Sequence, residues 1–242
     1  MRVAVVSDIH GNLHALEAVL EDVARAGPDA VWCLGDVVGY GARPNECCTL
    51  TRARADLCLA GNHDLAVLGA IDIADFSDDA AAAARWTREV LSAEHASWLR
   101  GLSPAARLEG AQLFHGSPRD PVWDYVLNEA VARASLEVTD APLVLVGHSH
   151  VALATSLDGG ELVGGLAPGG SEVELRSGRW LLNPGSIGQP RDGDARAAWL
   201  LLDRDRGHAS FRRVPYPVEQ AQEAIRSCGL PEALALRLAL GV

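Results

Sequence analysis

Histidine, aspartate and asparagine side chains recur in this sequence where apolar, strand-like runs end. Five short segments share that layout: Asp8-Ile9-His10, Gly35-Asp36, Gly61-Asn62-His63-Asp64, His115-Gly116 and Gly147-His148-Ser149-His150. Imidazole nitrogens and carboxylate oxygens bind transition metals and also act as general acids and bases. Because the carboxyl ends of strands in an open α/β sheet converge on one crevice, we expect the five segments to meet there.

Spacing within two of the segments predicts which side chains can face a metal together. In an extended chain, residues two positions apart point to the same side. Asp8 and His10 can therefore share a metal, and His148 and His150 can face one centre. Carboxylate and imidazole ligands without cysteine suit manganese, iron or zinc and do not choose among them.

The segment with Asn62 and His63 predicts two different roles. Adjacent residues of an extended chain point to opposite sides, so these two are not expected to ligate the same ion. One of them should bind metal while the other faces the substrate.

Each segment on its own also fits an ordinary turn or surface loop, so the inference rests on the set. Five of the eight histidines lie in these strand-end segments. The remaining three, which we interpret as structural, are His14, His95 and His208.

The first third of the chain predicts the scaffold that these segments need. Its apolar runs at residues 2–7, 30–34 and 56–60 alternate with helical patterns from about 12 to 27 and over 44–54. This βαβαβ order predicts a parallel sheet with helices packed on it.

The rest of the chain predicts a change of architecture. The expected elements are helices over 78–91, 93–100 and 128–137, strands over 107–114 and 142–147, and one or two helices over 217–240. From about residue 151 to 216, short strands with Gly-rich turns indicate a mixed or antiparallel second sheet. Without a linker or low-complexity run, we expect residues 1–242 to form a single domain.

Composition narrows the classes of partner and compartment. A net charge of −11 argues against binding an extended nucleic acid, which needs many cationic contacts. No apolar run reaches the roughly 18 residues of a membrane span, and no signal peptide precedes residues 2–7. Five cysteines without C-x-x-C spacing fit a reducing cytoplasm. Assembly into a homo-oligomer is left open.

The ordered series DIHGN, GDVVGYG, GNHD, HGSP and GHSH resembles the motifs of the calcineurin-like metallophosphoesterases. The resemblance extends from residue 3 to about residue 190. The segment NPGSIGQPR at 183–191 is similar to that of small bacterial and archaeal phosphoesterases. The resemblance implies an α/β fold with two mixed β-sheets packed face to face and helices on the outside, a four-layer αββα sandwich.

Carried over residue by residue, the resemblance implies two divalent metal ions (manganese, iron or zinc). The implied ligands of one ion are Asp8, His10 and His150. The implied ligands of the other are Asn62, His115 and His148. Asp36 would bridge both ions.

The same resemblance implies a hydrolase of phosphate esters, acting on monoesters or diesters of small molecules or nucleotides. A dinucleoside polyphosphate hydrolase and a phosphoprotein phosphatase are alternatives within this class. Gly39 and Tyr40 replace the aspartate and arginine that protein phosphatases carry at the second motif. A phosphoprotein phosphatase is therefore the less expected of the two alternatives. A non-catalytic protein-binding scaffold with a retained metal site is the alternative from another class.

We hypothesise that a hydroxide shared by two ions attacks phosphorus in line. His63 would stabilise the transition state and protonate the leaving oxygen, while Asp64 either orients His63 or begins the next helix. Arg191 either clamps phosphate or is a solvated loop residue. The other residues expected near the substrate are Asn12, Tyr40, Asn45, Trp123 and Tyr125.

Overall fold

Twelve strands form two six-stranded sheets in the computed structural model, which describes residues 1–242. In spatial order, the first sheet contains β3 (Leu57–Cys58), β2 (Ala30–Cys33), β1 (Arg2–Val6), β11 (Ala197–Asp203), β12 (His208–Val214) and β9 (Glu172–Glu174). The second contains β4 (Ala105–Leu108), β5 (Ala111–Phe114), β6 (Leu143–Val146), β10 (Arg179–Asn183), β7 (Leu153–Asp158) and β8 (Glu161–Leu166).

Both sheets are mixed, as predicted. Strands β1, β2 and β3 run parallel, and so do β5, β6 and β10, while the remaining neighbours are antiparallel. The predicted βαβαβ order of the first third is confirmed. The carboxyl ends of the parallel strands carry the loops in which the ligand-type residues lie.

Alternation along the strands builds the layers of the fold. In β1, Val3 and Val5 pack in the apolar layer between the sheets, together with residues such as Leu145. Ala4 and Val6 point the other way, into the core that the first sheet shares with its helices. Because successive side chains of a strand point to opposite faces, one apolar run supplies both layers.

Eight α-helices cover the outer faces of the sheets. They are α1 (Leu13–Ala26), α2 (Pro44–Arg54), α3 (Asn62–Val67), α4 (Asp78–Val90), α5 (Ala93–Arg100), α6 (Glu129–Glu137), α7 (Val218–Ser227) and α8 (Glu232–Leu236). A 3₁₀ turn over Arg237–Ala239 follows α8 directly. No helix combines the length and the apolar character needed to cross a lipid bilayer.

Three expectations about the elements are corrected. Residues 107–114 are not one strand but part of a hairpin of β4 and β5, because Gly110 takes a φ of 68° and reverses the chain. The strands after residue 151 do not form one sheet of their own but divide between both sheets. The helix that was considered to begin at Asp64 is α3, and it begins two residues earlier, at Asn62.

We expect the Leu202→Ala variant to lose about 2–5 kcal/mol of unfolding free energy, because it leaves a cavity in the layer between the sheets. Leu202 is fully buried there. Urea denaturation followed by circular dichroism measures the loss. The matched control is Leu166→Ala, which removes the same atoms from a side chain that is 75% exposed. Equal stability of the two variants would contradict the assigned layer.

Candidate metal centre

The loops after five strands bring all seven predicted ligands to one place. Asp8 and His10 follow β1, Asp36 follows β2, and the other ligands follow β3, β5 and β6. Each of the seven is at most 4% exposed. Polar side chains buried to this degree need partners, because an unpartnered polar group in the protein interior is costly.

The backbone of these loops is left-handed at five of the seven ligands. Six non-glycine residues in the chain have positive φ, between 49° and 63°: Asp8, His10, Asp36, Tyr40, His148 and His150. Such backbone is uncommon outside glycine, and it clusters at functional sites. The extended-chain geometry from which we paired ligands two positions apart is therefore wrong.

The structure also separates His148 from His150. His150 joins Asp8 and His10 in one group of potential ligands, and His148 joins Asp36 and His115 in another. The two histidines follow the same strand but belong to different groups, as the ligand sets implied by the resemblance have them.

The first group has the spacing of ligands around a single ion. Nε2 of His150 lies 3.0 Å from Nε2 of His10 and 3.3 Å from Oδ1 of Asp8. Nε2 of His10 and Oδ1 of Asp8 are 3.8 Å apart. Ligand atoms that bind one ion at about 2.1 Å lie about 3–3.5 Å apart, so both distances from His150 fit a shared cation and the separation of His10 from Asp8 is slightly longer.

The second group adds an amide oxygen. Nε2 of His115 lies 3.4 Å from Oδ2 of Asp36 and 3.1 Å from Oδ1 of Asn62. His148 completes this group. Its pKa is lowered to about 2, first by burial and then by neighbouring His115, so the imidazole is neutral and its nitrogen is free to bind metal.

One oxygen of Asp36 lies between the two groups. Oδ2 of Asp36 is 3.5 Å from Nε2 of His10 in the first group and 3.4 Å from Nε2 of His115 in the second. The other oxygen, Oδ1, accepts a hydrogen bond of 2.8 Å from the backbone amide of His63. Gly61 leaves room for this carboxylate, since a Cβ there would lie 2.0 Å from Oδ1.

Backbone carbonyls orient three of the imidazoles. Nδ1 of His10, His115 and His150 lies 3.3, 2.9 and 2.6 Å from the carbonyl oxygens of Val38, Leu34 and Gln189, respectively. A carbonyl oxygen only accepts, so each Nδ1 carries the proton and each Nε2 presents a lone pair. The close Nε2 atoms of His10 and His150 therefore cannot hydrogen-bond each other, and a cation between them satisfies both.

Several buried ligand atoms have no hydrogen-bond partner, which bears on whether these residues fit a metal ion. Oδ1 of Asp8, Oδ2 of Asp36 and Nε2 of His148 are buried without a hydrogen-bond partner. Burial, with the charges of Asp64 and Asp8, raises the pKa of Asp36 well above its usual value. A divalent cation would remove the cost of the unpartnered atoms and the cost of the buried negative charge, because it would bind those atoms and neutralise the carboxylates. The residues present therefore fit a metal site.

His63 lies beside the two groups, and its ring is held by aromatic contacts. Its centroid is 4.3 Å from that of Tyr40, 4.8 Å from that of His10 and 4.7 Å from that of Phe76. The Nδ1 atom is buried without a partner beside Gly39, where a Cβ would approach it to 2.6 Å. The ring is also close enough to His10 and Asp36 to serve as a third potential ligand.

Asp64 does not contact the His63 ring through a hydrogen bond. Its Oδ2 accepts from the amide of Gly61 at 2.9 Å, and its Oδ1 accepts from the amide of Val38 at 3.0 Å. Burial raises the pKa of Asp64 to about 6. Of the two roles considered from the sequence, these contacts support the beginning of α3, where Asp64 also joins the loop after β2 to this helix.

Tyr40 and Arg191 lie at the site, as expected of substrate-binding residues. The Tyr40 ring is 4.7 Å from that of His10, and its hydroxyl accepts a 3.3 Å hydrogen bond from Nη2 of Arg191. The backbone amide of Arg191 donates to the carbonyl of His150 at 3.2 Å. The loop that contains Arg191 is therefore hydrogen-bonded to the loop that contains the ligand histidine His150.

Two other residues expected near the substrate have structural contacts instead. Asn12 caps α1 by accepting from the Ala15 amide, and its Nδ2 donates to the carbonyl of Gly188 at 2.9 Å. Asn45 lies away from the site, since Nδ2 donates to the Val90 carbonyl and Oδ1 accepts from the Ser92 amide. These contacts give both amides a structural role, and those of Asn12 use only one of its two N–H groups.

Aromatic residues form a wall beside the metal groups. Tyr125 stacks on His148 with centroids 3.8 Å apart, and Trp123 packs edge-on against Phe76, which contacts His63. Trp123 and Tyr125 thus lie where we predicted a substrate wall. Phe76 was missed, and its segment before α4 has no motif that marks it.

Gln189 was also missed as a site residue. Its carbonyl orients His150, and its Oε1 accepts hydrogen bonds from Arg191 and Arg237. The segment NPGSIGQPR contains it, but a glutamine next to proline carries no signal of its own. Arg237, in the 3₁₀ turn after α8, gave no signal either.

Comparison with known proteins relates this site to a family. The family model described as the calcineurin-like phosphoesterase superfamily domain matches residues 1–206. An uncharacterized protein of Methanocaldococcus jannaschii is 38% identical over 244 residues, covering 99% of this chain and 98% of that protein. The crystal structure of a metallophosphoesterase from Sphaerobacter thermophilus is 40% identical, with a TM-score of 0.91, and the match covers 100% of this chain and 99% of that one.

A more distant structure shares the fold alone. The structure of a hypothetical protein from Pyrococcus horikoshii is 22% identical, with a TM-score of 0.81 and coverage of 100% of this chain and 98% of that one. The arrangement of two mixed sheets and outer helices is therefore common to bacterial and archaeal proteins.

Proposed function

The chain belongs to the calcineurin-like phosphoesterase superfamily, and on that premise we propose that it hydrolyses small phosphorylated molecules with two divalent metal ions. The observation that carries the proposal is the position of Oδ2 of Asp36. This unpartnered oxygen is about equally distant from a ligand nitrogen of each group, as a bridging carboxylate would be.

Seven side chains of the chain would hold the ions. Those of the first ion are Asp8, His10 and His150, those of the second are Asn62, His115 and His148, and Asp36 is shared. Bound ions would supply Lewis-acid activation of the attacking water and of the phosphoryl group. The backbone carbonyls described above keep the imidazoles in the tautomer that binds metal.

The remaining residues would act on the phosphate ester itself. His63, beside both groups but free of hydrogen bonds at its ring, is the proposed general acid for the leaving oxygen. Arg191 would bind the non-bridging oxygens, since a guanidinium pairs well with phosphate. Its hydrogen bond to Tyr40 limits the positions that this guanidinium can take.

Removal of metal tests the proposal directly. We expect chelator-treated protein to hydrolyse 4-nitrophenyl phosphate and bis(4-nitrophenyl) phosphate at least about 10³-fold more slowly, because metal activation is worth several kcal/mol. Addition of Mn²⁺, Fe²⁺ or Zn²⁺ should restore the rate. Mass spectrometry of the active protein should find two ions per chain.

Two outcomes would contradict the proposed function. Activity that persists in protein shown to be metal-free would exclude metal-dependent hydrolysis. Two bound ions without turnover on a broad panel of phosphorylated metabolites would favour the non-catalytic scaffold. One ion per fully active chain would refute the shared role of Asp36 but not the phosphoesterase activity.

A further inference from the structure

Two arginines from distant parts of the chain meet beside the metal groups. Nη2 of Arg191 donates to Oε1 of Gln189 at 3.0 Å, and Nη1 of Arg237 donates to the same oxygen at 3.3 Å. The two guanidinium groups are therefore within two hydrogen-bond lengths of each other. Arg237 belongs to the 3₁₀ turn after α8, beyond the residues that the family model matches.

Neither arginine has an acidic side chain as a partner. No aspartate or glutamate oxygen lies within ion-pair distance of either guanidinium group, although the chain contains 32 acidic residues and has a net charge of −11. Nε of Arg191 is buried without any hydrogen-bond partner. The other contacts of the pair are the Tyr40 hydroxyl for Arg191 and, for Arg237, a main-chain carboxylate oxygen of Val242, the last residue of the chain.

Two neighbouring cations repel each other, and partial burial increases the effect. The pKa of Arg237 is lowered, first by burial and then by the charge of Arg191. Several other arginines pair with carboxylates, as Arg213 does with Asp192 and Arg226 with Glu232. An anionic group bound between Arg191 and Arg237 would relieve the repulsion and satisfy the free donor.

The pair adjoins the reacting centre but is not part of it. The guanidinium carbon of Arg191 is 5.8 Å from the Tyr40 ring centroid, and that ring contacts both His10 and His63. Arg191 can therefore reach a phosphate held at the metal groups. Arg237 contacts the same Gln189 oxygen from the 3₁₀ turn after α8, where it can bind a second anion.

We propose that Arg237 forms a second phosphate subsite beside Arg191, which would contact both phosphate positions, so that the substrate carries another phosphate group besides the one that is hydrolysed. This inference rests on the proposed function, because it names the substrate class of the same site. Guanidinium groups suit the subsite, since each can donate two parallel hydrogen bonds to phosphate oxygens.

Phosphonates allow the subsite to be tested without turnover, because they have no ester bond to hydrolyse. Isothermal titration of the metal-loaded protein compares propylphosphonate with propane-1,3-bisphosphonate, which differ by one anionic group. We expect the wild type to bind the bisphosphonate at least about tenfold more tightly, as one added charge-assisted contact allows. Arg237→Gln should reduce this preference to within about twofold and leave the affinity for propylphosphonate unchanged.

Two variants control the comparison. Arg54→Gln removes the same charge from an exposed arginine at the C-terminal end of α2, the end directed away from the strand carboxyl ends, and should keep the preference. Arg237→Lys keeps the charge and should keep most of the preference. The unchanged affinity for propylphosphonate also reports that Arg237→Gln is folded and metal-loaded.

The subsite is refuted if Arg237→Gln keeps the tenfold preference, or if it weakens both phosphonates equally in a protein that melts at the wild-type temperature. Equal weakening would mean that Arg237 serves the reacting phosphate. Because no readout depends on hydrolysis, a failure of the subsite is distinguishable from a failure of the proposed phosphoesterase activity.

Discussion

Replacing Asp36 by asparagine is expected to reduce phosphate ester hydrolysis by at least about 10³-fold, since it removes the charge that would serve both ions. The amide can keep the hydrogen bond between Oδ1 and the His63 amide, so the fold should survive. The charged Oδ2 that faces His10 and His115 is lost. Hydrolysis of 4-nitrophenyl phosphate with Mn²⁺ and metal content per chain are the two measurements.

Asp140→Asn is the matched control for this substitution. Asp140 is exposed, and its ion pair with exposed Arg107 contributes little. We expect this variant to retain wild-type activity and metal content. An Asp36→Asn protein that keeps two ions and full activity would exclude the bridging role. Loss of only one ion would assign Asp36 to a single group.

The convergence of the ligands could be predicted from sequence because it depends on strand direction alone. Asp8, Asp36 and Asn62 follow consecutive strands, and the βαβαβ order makes those strands parallel. Parallel strands bring their carboxyl ends to one edge, so the side chains meet whatever the loops do in detail. The same reasoning extends to His115 and His148, which follow the parallel strands β5 and β6.

The local backbone could not be predicted in the same way. We treated Asp8-Ile9-His10 as extended chain, whereas both ligands have left-handed φ. No local propensity selects a left-handed backbone for two non-glycine residues so close in sequence. That conformation is disfavoured and persists only when the surrounding structure imposes it. The division of His148 and His150 between two groups came from the family resemblance and not from the assumed extended chain.

Polar residues that can serve either the fold or the site were the other difficulty for prediction from sequence. Asn12 was expected to bind substrate, but its side chain caps α1 and holds Gly188, a residue 176 positions away. Asparagine is a common helix cap, and only the tertiary structure shows which use prevails. Gln189 and Arg237 are the converse case, since their contact joins segments 48 positions apart and leaves no local pattern.

Replacing His63 by alanine is expected to lower activity by about 10²–10⁴-fold while two ions remain bound, because a positioned general acid contributes that much. His63 lies beside both groups without a hydrogen bond to its ring. The loss should be larger for an alkyl phosphate than for 4-nitrophenyl phosphate, whose leaving group departs with little need of a proton. The ratio of the two losses measures proton donation separately from electrostatic stabilisation.

His208→Ala is the control, because His208 lies in β12 and pairs only with exposed Glu172. It should leave both substrates and the metal content unchanged. The His63 ring is also close enough to His10 and Asp36 to ligate a metal, and that role makes a different prediction. A ligand's removal would release an ion and slow both substrates equally, because metal loss does not depend on the leaving group. Equal slowing with one ion missing would therefore move His63 from proton donor to ligand, whereas unequal slowing with both ions bound can arise only from the proton it gives.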